Sequence, residues 1–142
     1  MNKKILNKLF FDNSAKIIKL HYKSKKNKIY KKIYENKIYK KYNCCISSKS
    51  NIDKSLFLPH PIGIVIGEGV KIGKNVTIYQ NVTLGRKYKD IPDYPIIGNG
   101  VIIYCNSVIV GNVKIGNNAV IGCNSVVLRN IKDGEVVSGI VK

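Results

Sequence analysis

The chain of 142 residues reads as mainly β: a parallel β-helix of hexapeptide repeats, with a short N-terminal α-helical segment and one extruded loop. Three observations predict this. From Ile46 onward aliphatic residues open hexads in three successive blocks. Before that point the apolar residues recur at helical spacing among lysines. Between Leu84 and Ile97 the hexad is broken by a charged, proline-bearing stretch.

Residues 1–45 form the first unit, a basic amphipathic helical segment. They hold fourteen lysines against Asp12 and Glu35, so +12 of the net charge of +17 belongs to them. Ile29 and Ile33, and Tyr30, Tyr34, Ile38 and Tyr42, fall three or four apart without Pro or Gly, which predicts one or two helices. Such a field attracts phosphates, nucleic acid or an anionic membrane. The same wealth of Lys, Asn, Ile and Tyr is what an AT-rich coding sequence produces, and that bland account weighs slightly more. The opening "MNKKILNKLFFDN" has a positive flank, but Asn7 and Lys8 break its apolar run and no small-residue cleavage site follows. No stretch approaches the roughly twenty apolar residues of a membrane span. A cytoplasmic location is expected, at the inner face of the membrane if the basic segment binds lipid. Cys44, Cys45, Cys105 and Cys123 would stay reduced there.

Residues 46–142 form the second unit. Ile97, Ile103, Ile109, Ile115, Ile121 and Val127 open six successive hexads, and Val101, Ser107, Val113, Ala119, Ser125 and Ile131 fill their fifth places. Earlier blocks run Ile66, Ile72, Ile78, Leu84 and Ile46, Ile52, Leu58. Three hexads close a triangular coil of eighteen residues, and stacked coils bury the openers; about four coils are expected. The phase slips by two between Leu58 and Ile66, so the stretch after His60 holds an insertion or bulge. A loop over 86–96, "RKYKDIPDYP" at its core, is thrown out of the repeat. Gly67, Gly73, Gly98, Gly116 and Gly122 each follow an opener and fit corners that need either φ > 0 or close backbone approach. Cys105 and Cys123, eighteen apart, become neighbours on successive coils. Parallel crossovers are ordinarily right-handed.

The stretches "PHPIGIVIGE" (59–68), "IYQNVTLG" (78–85), "DYP" (93–95), "YCN" (104–106) and "GCNSVVL" (122–128) resemble the hexapeptide-repeat acyltransferases. The likeness is strongest to the serine acetyltransferase branch, whose members read D-H-x-x-G-I-V-V-G-E and I-x-Q-x-V-T-L-G. The resemblance covers roughly residues 45–138. It implies a left-handed helix, acetyl-CoA as co-substrate without a metal, and a homotrimer with active sites between subunits. It also implies that His60 is the general base. An imidazole ordinarily titrates near 6.5 and takes a hydroxyl proton at neutral pH, and the flanking Pro59 and Pro61 restrict its backbone.

The departures bear on the acceptor. The family's acid fifteen residues before the base falls on Cys45, and the acid directly before it on Pro59; Glu68, across the bulge, is a candidate substitute to orient His60, with a structural corner role the equal alternative. In the loop, the family's arginine and second histidine become Asp93 and Tyr94. An aspartate does not clamp an amino-acid carboxylate. Together with the short basic lead, which resembles capsular and other surface-polysaccharide O-acetyltransferases, this points to a sugar hydroxyl contacted by Asp93 and Tyr94. A serine acceptor is the alternative, and a non-catalytic β-helix scaffold a further one. By the same likeness acetyl-CoA lies near Gly85, Cys105 and Cys123, with Arg86 and Arg129 toward its phosphates.

His21 reads as a surface or packing residue rather than a ligand. Three-histidine zinc catalysis does not fit a chain with two histidines. The first 45 residues have three competing roles: a cap on the open end of the rod, a surface for anionic lipid, and, least favoured for want of a recognition motif, a nucleic-acid interface.

Overall fold

A computed structural model describes the backbone from residue 3 to 142 and side chains from residue 13 onward. Most of the opening stretch read for a targeting signal therefore lies outside the described side chains. Helix α1 (Lys3–Ser24) and helix α2 (Lys28–Tyr42) precede fourteen short strands. Asn27, extended at φ −162, restarts the chain as an N-cap by accepting from the Tyr30 N–H at 2.9 Å. Asn43, left-handed at φ 51, ends α2 and donates its N–H to the Tyr39 carbonyl. Asn27 caps with its side-chain oxygen, whereas Asn43 caps through its backbone N–H because asparagine tolerates the left-handed conformation.

The strands form three parallel sheets, the faces of a triangular prism. Face A stacks β1 (Cys45–Ile46), β3 (Val65–Ile66), β6 (Thr83–Gly85), β9 (Val108–Val110), β12 (Val126–Val127) and β14 (Ile140–Val141). Face B stacks β2 (Asn51–Ile52), β4 (Lys71–Ile72), β7 (Ile96–Ile97) and β10 (Lys114–Ile115). Face C stacks β5 (Thr77–Ile78), β8 (Ile102–Ile103), β11 (Val120–Ile121) and β13 (Val136–Val137). Every hexad opener and fifth-place residue named above is buried. The helix is left-handed, the exception to the crossover rule.

The register accounts for each interruption. Val65 pairs with Thr83, eighteen residues on, as a regular coil requires. Cys45 pairs with Val65, twenty on, which places the two extra residues between Leu58 and Ile66. Lys71 pairs with Ile96, twenty-five on, so the loop adds seven. Ile96 is already in β7, and the extruded segment ends at Pro95 rather than residue 96. Near the C-terminus the coil tightens: Ile115 bridges Ile131, sixteen on, and Val126 pairs Ile140, fourteen on. These contracted turns lack the hexad spacing. The six strands of face A therefore enclose five turns, one more than the repeat alone predicts.

The corners resolve the two options left open for the glycines. Gly73 and Gly98 have ordinary φ, and a Cβ on either would lie 2.6–2.9 Å from the next coil, so close approach is what they serve. The left-handed conformation belongs instead to Asn75, Asn81, Asn106, Asn118 and Asn124, with φ between 54 and 61. Each stands three residues after an opener. Asn tolerates this region better than other side chains, and here the amides also bond along the rod: Asn81 donates to Asn106 and Asn106 to Asn124, both at 3.1 Å.

Helix α1 covers the open end of the prism. The Leu58 N–H donates to Ser14 Oγ at 2.9 Å, and the Tyr22 hydroxyl donates to the Ile52 carbonyl at 2.6 Å, so edge groups of the first coil are satisfied by the helix. Helix α2 packs beside it with Tyr34, Ile38 and Tyr42 buried. Ile29 and Ile33 face solvent, so only one of the two predicted apolar stripes is a packing face. His21 is fully buried, with Nδ1 3.3 Å from the Tyr34 hydroxyl and, among the described residues, no hydrogen-bond partner within bonding geometry for Nε2.

Two outcomes follow. Burial, reinforced by the Lys25 charge and opposed by the Ser50 backbone, lowers His21 from 6.5 to about 4. Its folded value lies below its unfolded one, so its contribution is complete above pH 6.5 and is lost as pH falls toward 4, by about 3 kcal/mol. Urea unfolding at pH 7 and pH 4 should show this loss, and His21→Gln should reduce the difference. Asn106→Ala forces an alanine into the left-handed region and removes two amide bonds, at a cost of about 2 kcal/mol. Asn106→Gly should recover about half in the same measurement.

Candidate functional site

Two edges of the prism carry the candidate residues, and they bound the same face. At the edge between faces C and A, the chain leaves Leu58 and turns through Pro59, His60 and Pro61. The His60 carbonyl accepts from the Ile62 N–H at 2.8 Å, a three-residue turn that the fixed φ of Pro61 suits. The Asn81 N–H donates to the Ile62 carbonyl, and Gly63, at φ 65, gives the Asn81 side chain its space. The two-residue insertion is thus anchored to the next coil, and it presents the exposed His60 outward.

Above His60 the edge is aromatic. Its ring lies 6.3 Å from that of Tyr79, which stacks on Tyr104 at 5.1 Å with an interplanar angle of 17°. Cys105 and Cys123 follow on the same edge, in register through the Asn124 N–H to Cys105 carbonyl bond. Their side chains are small and reach solvent, which leaves a shelf along the upper coils. A cavity of about 440 Å³ beside His60 is lined by Asn13, Lys40, Lys41, Tyr42 and Asn43 of the helical segment and by Pro61 and Ile62.

At the opposite edge of face A, a cleft of about 620 Å³ holds Glu68, Gly85, Arg86 and Tyr94, with Glu35 of α2 and Cys45 of β1. Tyr94 returns from the loop to lie on Gly67 and Gly69; a Cβ on Gly67 would stand 2.7 Å from its ring. Asp93 is half-buried beside it. Glu68 forms an ion pair with Lys49 at 2.7 Å, and this bond first of all holds its carboxyl below the usual range. Arg129 is at this edge too, on the last coil, where it pairs with Glu135 at 2.8 Å.

The arrangement separates the residues read from the sequence. His60, Cys105 and Cys123 stand on one edge; Glu68, Gly85, Arg86, Asp93, Tyr94 and Arg129 stand on the other. The width of a face, on the order of 15 Å at ~3.3 Å per residue, lies between them. Glu68 stands across that face from His60, and its carboxylate is engaged by Lys49. The structure adds Tyr79 and Tyr104, which sequence reasoning missed. Both directly follow openers on face C, but the loop insertion places them twenty-five residues apart instead of eighteen and hides their stacking.

Burial raises the Cys44 thiol above its ordinary range, which favours the unreactive protonated form. Among the described residues no group of three His, Cys, Asp or Glu side chains could hold a metal ion. No described helix is long and apolar enough to cross a membrane.

Stacked turns built mainly of hexads, with a histidine-bearing bulge and one extruded loop, define a hexapeptide-repeat protein of the transferase type. The family model for the bacterial transferase hexapeptide, six repeats, matches residues 94–129. The serine acetyltransferase of Neisseria gonorrhoeae is 36% identical over 73% of this chain and 40% of its own, with a TM-score of 0.70. Isoform 3 from Entamoeba histolytica, solved with cysteine, is 30% identical over 86% and 45%, with a TM-score of 0.74. A serine acetyltransferase in complex with CoA is 29% identical over 89% and 52%, with a TM-score of 0.75. No curated protein matches the chain. The chain belongs to the hexapeptide-repeat acyltransferase superfamily and is serine acetyltransferase-like. It spans about half or less of the length of these solved relatives.

If Gly67 and Gly69 seat Tyr94, then Gly67→Val should lift the ring and loosen the loop behind it. Limited trypsin digestion should cut after Arg86, Lys87 or Lys89 several-fold faster than in the unaltered protein, with the rest of the coil still resistant.

Proposed function

We propose that this protein is an acetyl-CoA-dependent O-acetyltransferase that acts on a sugar hydroxyl of a surface polysaccharide or its precursor, with His60 as general base. The observation that carries the reading is the proline-flanked bulge, which sets an exposed imidazole on the edge of a coil belonging to this superfamily. Acetyl-CoA, when bound, supplies an activated thioester. The His60 imidazole takes the proton of the acceptor hydroxyl as its oxygen attacks the thioester carbonyl; the C–S bond breaks and coenzyme A leaves as a thiolate that recovers this proton, the base contributing typically about 10²–10⁴-fold.

The active unit is a homotrimer in this reading. Face A turns Val65, Val108, Val126 and Ile140 outward, and face C turns Ile102, Val120 and Val136 outward, whereas face B shows Asn51, Lys71 and Lys114 with Ile96 as its one outward aliphatic among the described strands. Val65 is 39% and Ile140 72% exposed. A sheet apolar on both sides calls for cover, and a threefold arrangement supplies it. It also brings the His60 edge of one copy to the Tyr94 edge of the next. Acetyl-CoA then lies between the Cys105–Cys123 shelf of one copy and Gly85, Arg86 and Arg129 of its neighbour. Glu68 reaches His60 only across that junction.

Serine as acceptor is the second reading, and the comparisons favour it over a sugar, because the similar structures are serine acetyltransferases. What supports the sugar is local. Asp93 and Tyr94 stand where the resemblance puts an arginine and a histidine, and the cavity beside His60 holds no carboxylate among its lining residues. A thiol-release assay with serine and a panel of sugars decides the matter; faster turnover with serine than with every sugar overturns the sugar assignment. The location that accompanies this function is the cytoplasm, at the inner membrane face where basic α2 can meet anionic lipid.

His60→Ala should lower acetyl transfer by about 10²-fold or more at unchanged acetyl-CoA affinity. The Asp93→Ala, Tyr94→Ala double variant should be similarly impaired. Co-expression of the two should restore activity, because mixed trimers contain junctions with an intact His60 and an intact loop. No recovery, or sedimentation as a monomer, excludes the shared site.

A further inference from the structure

We infer that the groove between α1 and α2 binds the diphosphate of a sugar-diphosphate acceptor and delivers the sugar to His60; the inference rests on the sugar reading above. The groove has a volume of about 280 Å³. Lys16, Lys19 and Lys23 of α1 line one wall, Lys37 and Lys41 of α2 the other, and Leu20 and Tyr42 the floor. The lysines of each wall recur three or four residues apart, so each set lies on one helix face. Among the described residues, no acid lines the groove. The ammonium groups of Lys19, Lys23, Lys37 and Lys41, gathered over one small concavity, focus a positive field, and phosphate oxygens are what such a field concentrates.

Position turns this anion site into an acceptor site. Lys41 and Tyr42 line both the groove and the cavity that contains His60, so the two spaces adjoin. A ligand with its phosphates among the lysines would extend past Tyr42 directly to the imidazole. The acetyl donor approaches from elsewhere: the Cys105–Cys123 shelf runs from His60 toward the C-terminal coils, away from the helices. Donor and acceptor therefore meet at His60 from opposite ends of the rod. The shared chemistry is a sugar diphosphate, carried either by a nucleoside or by a polyprenyl lipid.

Calorimetry on the full chain provides the test, with UDP-glucose, a short-chain polyprenyl-diphosphate glucose, free glucose and acetyl-CoA as probes. The comparison variant is Lys19→Gln, Lys23→Gln, Lys37→Gln, three exposed positions that leave Lys41 at the His60 cavity intact; Lys37→Gln alone serves if the triple variant misfolds. At least one diphosphate probe should bind about tenfold or more tighter than glucose, and the triple variant should lose about that factor while its acetyl-CoA affinity is unchanged. Binding of UDP-glucose alone assigns the nucleotide acceptor; binding of the polyprenyl probe alone assigns the lipid-linked one. Undiminished diphosphate binding in the variant, no preference over glucose, or a parallel loss of acetyl-CoA affinity overturns the inference. Lysine-dependent diphosphate binding without any acetyl-CoA binding would retain the groove and remove the acetyltransferase reading. Transfer to uncharged sugars with no effect of the lysines would do the reverse.

Discussion

The governing constraint is that each third strand must return in register one coil higher. Ile66, Leu84, Ile109 and Val127 point into the prism only if the backbone closes a turn at a fixed length. A shift of one residue would turn every opener outward. Extra residues cannot be absorbed along a face, so they are expelled at a corner. The two expulsions in this chain, two residues around His60 and seven between Gly85 and Ile96, carry the candidate base and the candidate acceptor contacts Asp93 and Tyr94. Regularity elsewhere makes these departures rigidly placed rather than loose: one is tied to Asn81, the other seated on Gly67 and Gly69.

The same constraint explains what was legible in the sequence. Opener and fifth-place positions are buried by geometry, so an aliphatic period of six predicts the core residue by residue. The corner rules were half legible. The glycines had been compatible with two explanations, and only the coil-to-coil distances choose close approach over positive φ. The asparagines that do take positive φ recur three after an opener, a periodicity as readable as the aliphatic one once its meaning is known. The last turns, at sixteen and fourteen residues, were invisible because no hexad marks them.

Site residues were less legible, for a physical reason. Motif spacing places a residue along the chain, whereas function depends on which of three edges it occupies. Glu68 is eight residues from His60 and looks adjacent across the bulge. Face A intervenes, and Lys49, nineteen residues earlier in sequence, is its actual partner. Tyr79 and His60 are nineteen apart and meet on one edge. Arg129 illustrates the converse: a free cation in the sequence, it is held by Glu135 in the fold.

The helical segment shows how a structural need and a charge pattern coexist in one element. A β-helix leaves backbone groups open at its end, and α1 must present Ser14, Ile17, Ile18, His21 and Tyr22 toward that end to close it. This commitment leaves the other helix faces free of packing duty. Helix α2 spends its Tyr34–Ile38–Tyr42 stripe on the same task. Lysines populate what remains, and wherever two such remaining faces converge, as between α1 and α2, positive charge accumulates beside apolar Leu20 and Tyr42. A composition bias toward lysine would spread charge over all exposed positions; it does not explain why the groove formed by the cap lies beside the cavity of His60, with Lys41 and Tyr42 lining both. That continuity follows from the cap itself, because the helix pair must cover the first coil and the first coil is where the histidine bulge emerges.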